Sequence, residues 1–291
     1  MTNMRPNLFI IGAMKSGTSS LHSYLGSHPQ IFMSTPKEPM FFSRKSNGSG
    51  EENDYLALFA SAGDASMIGE SSTEYTKAPE FSGVPQRIHK FNPEARFIYI
   101  MRDPIERTIS QYWHMVHYYG EKRDMLTAIR KDSPYINISN YAMQLKPYFE
   151  LFSKDKVFAM TFEELRENTL ICVQRVFRWL GVESSFVPPN INLKRHVTPR
   201  YLIQERGPGL LSIFRHTNVW MVLKPFVPRQ ISFIGRRLLV KERDRASFST
   251  DKVTDFLRPI QLKQTEVLGK MLDRDFPEWE RLFGAEAPTK S

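Results

Sequence analysis

Short apolar runs separated by stretches of helical spacing set the pattern of this chain. Leu8-Phe9-Ile10-Ile11 ends at Gly12, and three further runs follow: Met67-Ile68-Gly69, Arg96-Phe97-Ile98-Tyr99-Ile100-Met101 and Val157-Phe158-Ala159-Met160-Thr161. Short apolar runs bounded by turn residues suit strands buried on both faces. Between them, Leu21 to Gly26 is amphipathic. Leu165 to Leu180 places Val173, Val176, Phe177 and Leu180 on one helical face, with Gly181 where a C-terminal cap belongs. Residues 44–54 are polar and Gly/Ser-rich and read as an exposed loop. Strands alternating with helices predict βαβ units, hence an α/β fold with a central parallel sheet flanked by helices. With no internal repeat and no clear linker, residues 1–291 read as a single domain. Ligands of such sheets bind beyond the C-terminal strand ends. Lys15, Glu70 and Arg102 follow three of the runs, so three separated segments are expected to converge on one crevice.

Charge narrows the partners. The net charge is +9 and the hydrophobic content 41%, enough for a core and biased toward anionic ligands such as nucleotides, phosphates, acidic glycans or anionic lipid. The basic residues match no base-reading motif, so nucleic acid is not expected as a partner. No apolar run is long enough to span a bilayer, and the Leu8–Ile11 run is too short for a secretory signal. Cys172 is the sole cysteine, which excludes an intrachain disulfide and fits a cytoplasmic protein; burial on its amphipathic helix is expected. Residues 200–245 hold ten Lys and Arg against three acidic residues, interleaved with Leu210, Leu211, Phe214, Trp220, Met221, Leu223 and Phe226. This basic apolar segment, expected to be helical, reads either as a solvated face over the core or as an acceptor-side or peripheral membrane-surface element.

The chemistry concentrates after the first run. Gly12-Ala13-Met14-Lys15-Ser16-Gly17-Thr18-Ser19-Ser20 is a glycine turn leading into a helix, where backbone N–H groups and the helix N-terminus bind anionic oxygens. Ser16, Thr18, Ser19 and Ser20 add hydroxyls, and Lys15 can lie against an anionic oxygen. Gly12 and Gly17 keep the spacing of a Walker A loop, which predicts a P-loop-NTPase-like three-layer fold. The lysine, however, lies at position 15 and Thr18 follows Gly17. No apolar strand leads into a clear metal-binding aspartate, and no His/Cys spacing suits zinc, so a metal-free anion site is the better reading. A P-loop kinase or NTPase using ATP and magnesium is the alternative.

Lys15-Ser16-Gly17-Thr18-Ser19-Ser20 resembles the 5′-phosphosulfate loop of sulfotransferases that use PAPS, 3′-phosphoadenosine 5′-phosphosulfate. Arg102 through Ser110 resembles the second signature of that family, an arginine after a strand and a serine eight residues on. The resemblance implies that Arg102 and Ser110 hold the 3′-phosphate. A guanidinium suits phosphate through paired hydrogen bonds. Lys37-Glu38-Pro39-Met40-Phe41-Phe42 resembles an element of heparan-type and other carbohydrate sulfotransferases whose glutamate is the base, with Met40 in place of the usual His or Tyr. Gly69-Glu70-Ser71-Ser72-Thr73-Glu74-Tyr75 is similar to a further segment, with Ser71 where a lysine often lies. Phe162-Glu163-Glu164-Leu165, Trp179-Leu180-Gly181-Val182 and the stretch Leu272 to Trp279 match other landmarks, and Lys194-Arg195 falls where a basic loop closes over the nucleotide.

The resemblance implies transfer of a sulfuryl group from PAPS to a hydroxyl or amine of a carbohydrate, glycolipid or small metabolite, releasing the nucleotide PAP without a metal. Lys15 would stabilise the leaving oxygen, Glu38 would take the acceptor's proton, and Thr18 and Ser19 would hold the 5′-phosphate. Lys37 reads as a candidate acceptor contact, and Lys37 and Glu38 also read as a surface ion pair. Glu70 is either a structural carboxylate orienting the loop or a catalytic or acceptor-binding group. His114, four residues after Ser110 on one helix face, is either a base or acceptor contact or a packed structural histidine. Arg107 reads as a packing arginine.

Overall fold

The computed structural model describes residues 5–44, 49–191, 201–205, 240–244 and 247–284. Five strands form one parallel sheet in the order β2-β3-β1-β4-β5: β1 Leu8–Gly12, β2 Ile31–Met33, β3 Met67–Ser71, β4 Arg96–Met101 and β5 Val157–Thr161. The helices in chain order are α1 Thr18–Leu25, α2 Ser49–Ala57, α3 Val84–Phe91, α4 Pro104–Tyr119, α5 Met125–Lys131, α6 Pro134–Asn137, α7 Tyr141–Leu151, α8 Phe162–Glu167, α9 Thr169–Leu180, α10 Asp251–Leu272 and α11 Glu280–Phe283.

Alternation along the central strands builds two cores. Phe9, Ile11, Phe97, Tyr99 and Met101 pack with α4, α7 and α10 on one face, together with Trp113, Leu145, Tyr148 and Leu257. Leu8, Ile10, Ile98 and Ile100 pack on the other with Leu21 and Leu25 of α1 and Val173, Val176 and Phe177 of α9. Every residue of β1 is buried, as a strand covered on both faces requires. The predicted strands at 67, 96 and 157 are therefore present. β2 had no prediction, because three residues give no readable period.

Three local expectations are corrected. Residues 44–54 are not all loop: α2 begins at Ser49, with Glu51 and Glu52 in its first turn beside the partial positive charge of the helix N-terminus. It is held by Tyr55, buried in the core. The predicted helix from Leu165 to Leu180 is two helices broken at Asn168. A capping box on Thr161 and Glu164 starts the first, and Gly181, left-handed at φ 77°, ends the second. Of the basic segment at 200–245, only its ends are described. They are strands, Tyr201–Glu205 paired antiparallel with Val240–Asp244 rather than helix, and the remainder lies outside the described residues. Cys172 is buried against the α9 face of the core. No helix among the described residues is long and apolar enough to cross a membrane.

The C-terminal helices brace the strand end that carries Arg102. Asp103 caps α4 by accepting from the N–H of Ile105 (2.9 Å) and Glu106 (3.1 Å), and it also accepts from Leu282 N–H of α11 at 2.9 Å. Arg107 is fully buried without a carboxylate: it donates to Ser139 Oγ, Gln111 Oε1 and the Tyr135 carbonyl, locking α4 onto α6. Asp103→Ala is expected to lower stability by about 2 kcal/mol, since it uncaps a helix and leaves Leu282 N–H buried without an acceptor. Thermal unfolding followed by circular dichroism checks this; an unchanged midpoint contradicts it.

Candidate active site

β1 leaves the sheet through a turn that a side chain at Gly12 would obstruct. A Cβ there would sit 2.1 Å from Thr76 Oγ1 and 2.9 Å from Tyr99 Cε2. Thr76 Oγ1 instead donates to the Ile11 carbonyl at 2.6 Å, clamping the segment after β3 over the end of β1. The loop that follows holds Lys15 and Gly17 in left-handed backbone, at φ 72° and 90°. α1 then starts with no side-chain cap and no acidic residue in its first turn. Its first N–H groups have no partner within the helix, and the helix dipole adds to their pull on an anion.

The structure brings the two sequence motifs into contact. Arg102 leaves β4, the neighbour of β1, and donates through Nη1 to the Lys15 carbonyl at 3.3 Å. Its Nη2 donates to Glu106 at 3.2 Å, and its guanidinium lies over the Phe162 ring at 5.0 Å. Tyr141 Oη fixes the Arg102 backbone, donating to its carbonyl at 2.6 Å and accepting from its N–H at 3.3 Å. Two buried polar atoms at this junction, Ser16 Oγ and Arg102 Nε, have no hydrogen-bond partner. Leaving such atoms unmet is costly, so a polar ligand is the natural complement. An anion fits this donor set: hydroxyls, a lysine, an arginine and an open helix N-terminus. Thr18 is buried, Ser19 and Ser20 are half-buried on the first turn of α1, and Ser110 is buried two turns along α4.

His114 follows Ser110 on α4. Burial first, and then the Lys15 and Lys77 ammonium groups, push its imidazole down to about 4, so it is neutral near pH 7. Its Nδ1 is buried without a partner, and its ring lies against Tyr118 at 4.7 Å.

Glu38 occupies a tight turn beside β3. Its backbone is left-handed at φ 62°, its N–H donates to the Ser71 carbonyl at 2.9 Å, and Lys37 Nζ pairs with Oε1. Oε2 accepts from Thr73 N–H at 2.8 Å and Thr73 Oγ1 at 3.3 Å. The carboxylate remains about one quarter exposed, open to a substrate.

Glu70 does not join this crevice. It is fully buried within β3 and accepts from Tyr55 Oη (2.9 Å), Tyr75 Oη (2.6 Å) and Ser72 Oγ (2.6 Å). Burial, outweighing these hydroxyls, pushes its carboxyl up to about 7. Lys194 and Arg195 lie outside the described residues. Sequence reasoning missed Thr73 and Thr76 as anchors, although both follow the Gly69 run; Tyr141 and Lys77 carried no local signal. No group of three metal-ligating side chains occurs among the described residues.

Comparison with known proteins bears on this geometry. A family model described as the sulfotransferase family matches residues 6–186. A membrane-associated sulfotransferase of Dictyostelium discoideum is 36% identical over 108 residues, covering 37% of this chain and 22% of that protein. Carbohydrate sulfotransferase 15 of Mus musculus is 27% identical over 247 residues, covering 61% and 44%. The bifunctional heparan sulfate N-deacetylase/N-sulfotransferase 2 of Bos taurus is 24% identical over 199 residues, covering 61% and 22%. The chain thus spans less than half the length of each of these relatives. The crystal structure of a sulfotransferase from Alicyclobacillus acidocaldarius superposes with a TM-score of 0.64 at 24% identity, covering 95% of this chain and 99% of that one. The fold is accordingly an α/β sulfotransferase fold with a central parallel sheet, not the P-loop-NTPase-like fold that the glycine spacing predicts. The physical reason lies in the loop: its lysine sits inside the turn at φ 72°, not after the second glycine at the head of the helix.

Burial pushes a second carboxyl, that of Glu163, up to about 7 as well. Both carboxyls keep a proton in the folded chain where the unfolded chain has lost it. The stability this gives is full below pH 4.5 and is lost as pH rises toward 7. Each group is expected to contribute a fall of ~3 kcal/mol across that window. Urea unfolding at pH 5 and pH 7.5 should show a shallower fall in the Glu70→Gln/Glu163→Gln variant than in the wild type; equal slopes contradict it.

Proposed function

This chain belongs to the sulfotransferase family, and we propose that it transfers a sulfuryl group from PAPS to a hydroxyl of a carbohydrate acceptor. The observation that carries this reading is the contact between Arg102 and the Lys15 carbonyl, which joins an anion loop to a phosphate-type arginine around two unmet buried polar atoms. Likeness to carbohydrate sulfotransferase 15 and to heparan sulfate N-sulfotransferases supports the acceptor class.

PAPS supplies the activated sulfuryl group, and the acceptor oxygen forms a bond to sulfur as the bond from sulfur to the phosphate oxygen breaks. Lys15 and the α1 N-terminus neutralise the charge that gathers on the leaving oxygen. Ser16, Gly17, Thr18, Ser19 and Ser20 hold the 5′ end of the nucleotide, and Arg102 with Ser110 holds its 3′-phosphate. Glu38 Oε2, kept in place by Thr73, or its partner oxygen on Lys37, takes the proton from the acceptor hydroxyl. His114, neutral near pH 7, would contact the acceptor.

Incubation with sulfur-labelled PAPS and desulfated heparin, chondroitin or a neutral glycolipid tests the assignment. Label should enter a carbohydrate without added metal; no transfer to any acceptor together with no PAP binding would overturn it. Lys15→Ala is expected to lower kcat by a factor of about 100 to 1,000. Arg102→Ala should weaken PAP binding at least tenfold, about what losing a charged hydrogen bond costs. Steady-state kinetics and calorimetric PAP titration separate the two effects, and equal loss in both parameters for both variants contradicts the division of roles.

A further inference from the structure

We propose that Glu70 is a positioning residue for Glu38, acting through two hydroxyl relays that hold the turn carrying the base. The inference rests on the reading of Glu38 as the base.

The turn from Glu38 to Phe42 contains two left-handed non-glycine residues, Glu38 at φ 62° and Met40 at φ 56°. Such residues persist where surrounding contacts enforce them. Two backbone N–H groups of this turn end on hydroxyls. Met40 N–H donates to Ser72 Oγ at 3.0 Å, and Phe42 N–H donates to Tyr75 Oη at 3.3 Å. Each hydroxyl then spends its own proton on Glu70: Ser72 Oγ on Oε2 and Tyr75 Oη on Oε1, both at 2.6 Å. The carboxylate orients both hydroxyls, so that their lone pairs face the turn. Above about pH 7, where Glu70 is ionised, a carboxylate suits this task, because it accepts from several donors and has no proton of its own to misdirect them. Tyr55 Oη adds a third donor at 2.9 Å, and Tyr148 Oη donates to the Tyr75 carbonyl at 2.9 Å, so the anchor is itself held. Ser72 is fixed from its far side, its N–H donating to the Ile10 carbonyl of β1 at 3.1 Å.

The same strand end meets Glu38 directly through Thr73. Glu38 and Glu70 thus share one support, and each carboxylate lies within the other's field. The site therefore has two acidic groups with divided work. The exposed one meets the acceptor, and the buried one sets where the first one stands.

Ser72→Ala and Tyr75→Phe each remove one relay and leave the buried carboxylate in place. Turnover is read as sulfur label leaving PAPS, with desulfated heparin present and water counted as an acceptor. Each variant is expected to lower kcat about tenfold, the worth of one well-placed hydrogen bond, while KM for PAPS and PAP binding stay within about twofold. In a Glu38→Gln background the same substitutions should add nothing further, because the group they position no longer takes a proton. Glu70→Gln, which keeps shape and accepting capacity on one oxygen, should retain more kcat than Glu70→Ala, with thermal midpoints measured for all variants. If Glu38→Gln turns over like wild type, the reading of Glu38 as base fails and the proposal falls with it. If Glu38→Gln loses turnover while Ser72→Ala and Tyr75→Phe keep it, or act additively with Glu38→Gln, the positioning role alone is overturned.

Discussion

The absence of a side chain at Gly12 is the constraint on which the site depends. At that residue β1 ends, the anion loop begins, and the segment after β3 crosses over with Thr76 bonded to the Ile11 carbonyl. A single methyl group would drive these segments apart. Because they stay together, the loop bearing Lys15 and the segment whose Thr73 holds Glu38 are built on one foundation. The register of the sheet then brings in the third part: β4 lies beside β1, so Arg102 reaches the Lys15 carbonyl.

Much of this was legible in the sequence. Buried strands announce themselves as apolar runs, and the long ones at 8, 96 and 157 were read at their true places. The loop and the Arg102 to Ser110 spacing were legible as motifs because each sets particular residue types at fixed offsets. β2 was not, since three residues show no period. The break at Asn168 was hidden because the apolar stripe runs on through it, whereas the capping box of Thr161 and Glu164 is a local feature. The role of Glu70 was undecided in one dimension. Two of its hydroxyl partners, Ser72 and Tyr75, follow it closely in the chain, but the third, Tyr55, comes from α2 and only the fold brings it in.

The glycine spacing misled about the fold for an instructive reason. Any strand that must turn sharply into a helix around an anion needs glycines near its two ends, so the spacing reports the turn and not the ancestry. The position of the lysine distinguishes the cases. Held inside the turn, Lys15 gives its carbonyl to Arg102 and sends its field toward His114. In the proposed reading, the loop serves a nucleotide gripped at two ends, with the arginine in place of a metal-binding strand end.

The bracing of Asp103 by Leu282 bears on how much chain constitutes the working unit. The stretch shared with the family model stops at residue 186, yet α11 supplies an N–H to the cap next to Arg102, and Arg281 reaches Glu106 at 2.5 Å. Trp279, fully buried, lies against Tyr141, the residue that fixes the Arg102 backbone. A fragment cut at the boundary of recognisable similarity would keep every motif residue through Ser110 and still lose the buttress behind Arg102. For this fold, the minimal expressible enzyme is longer than its signature.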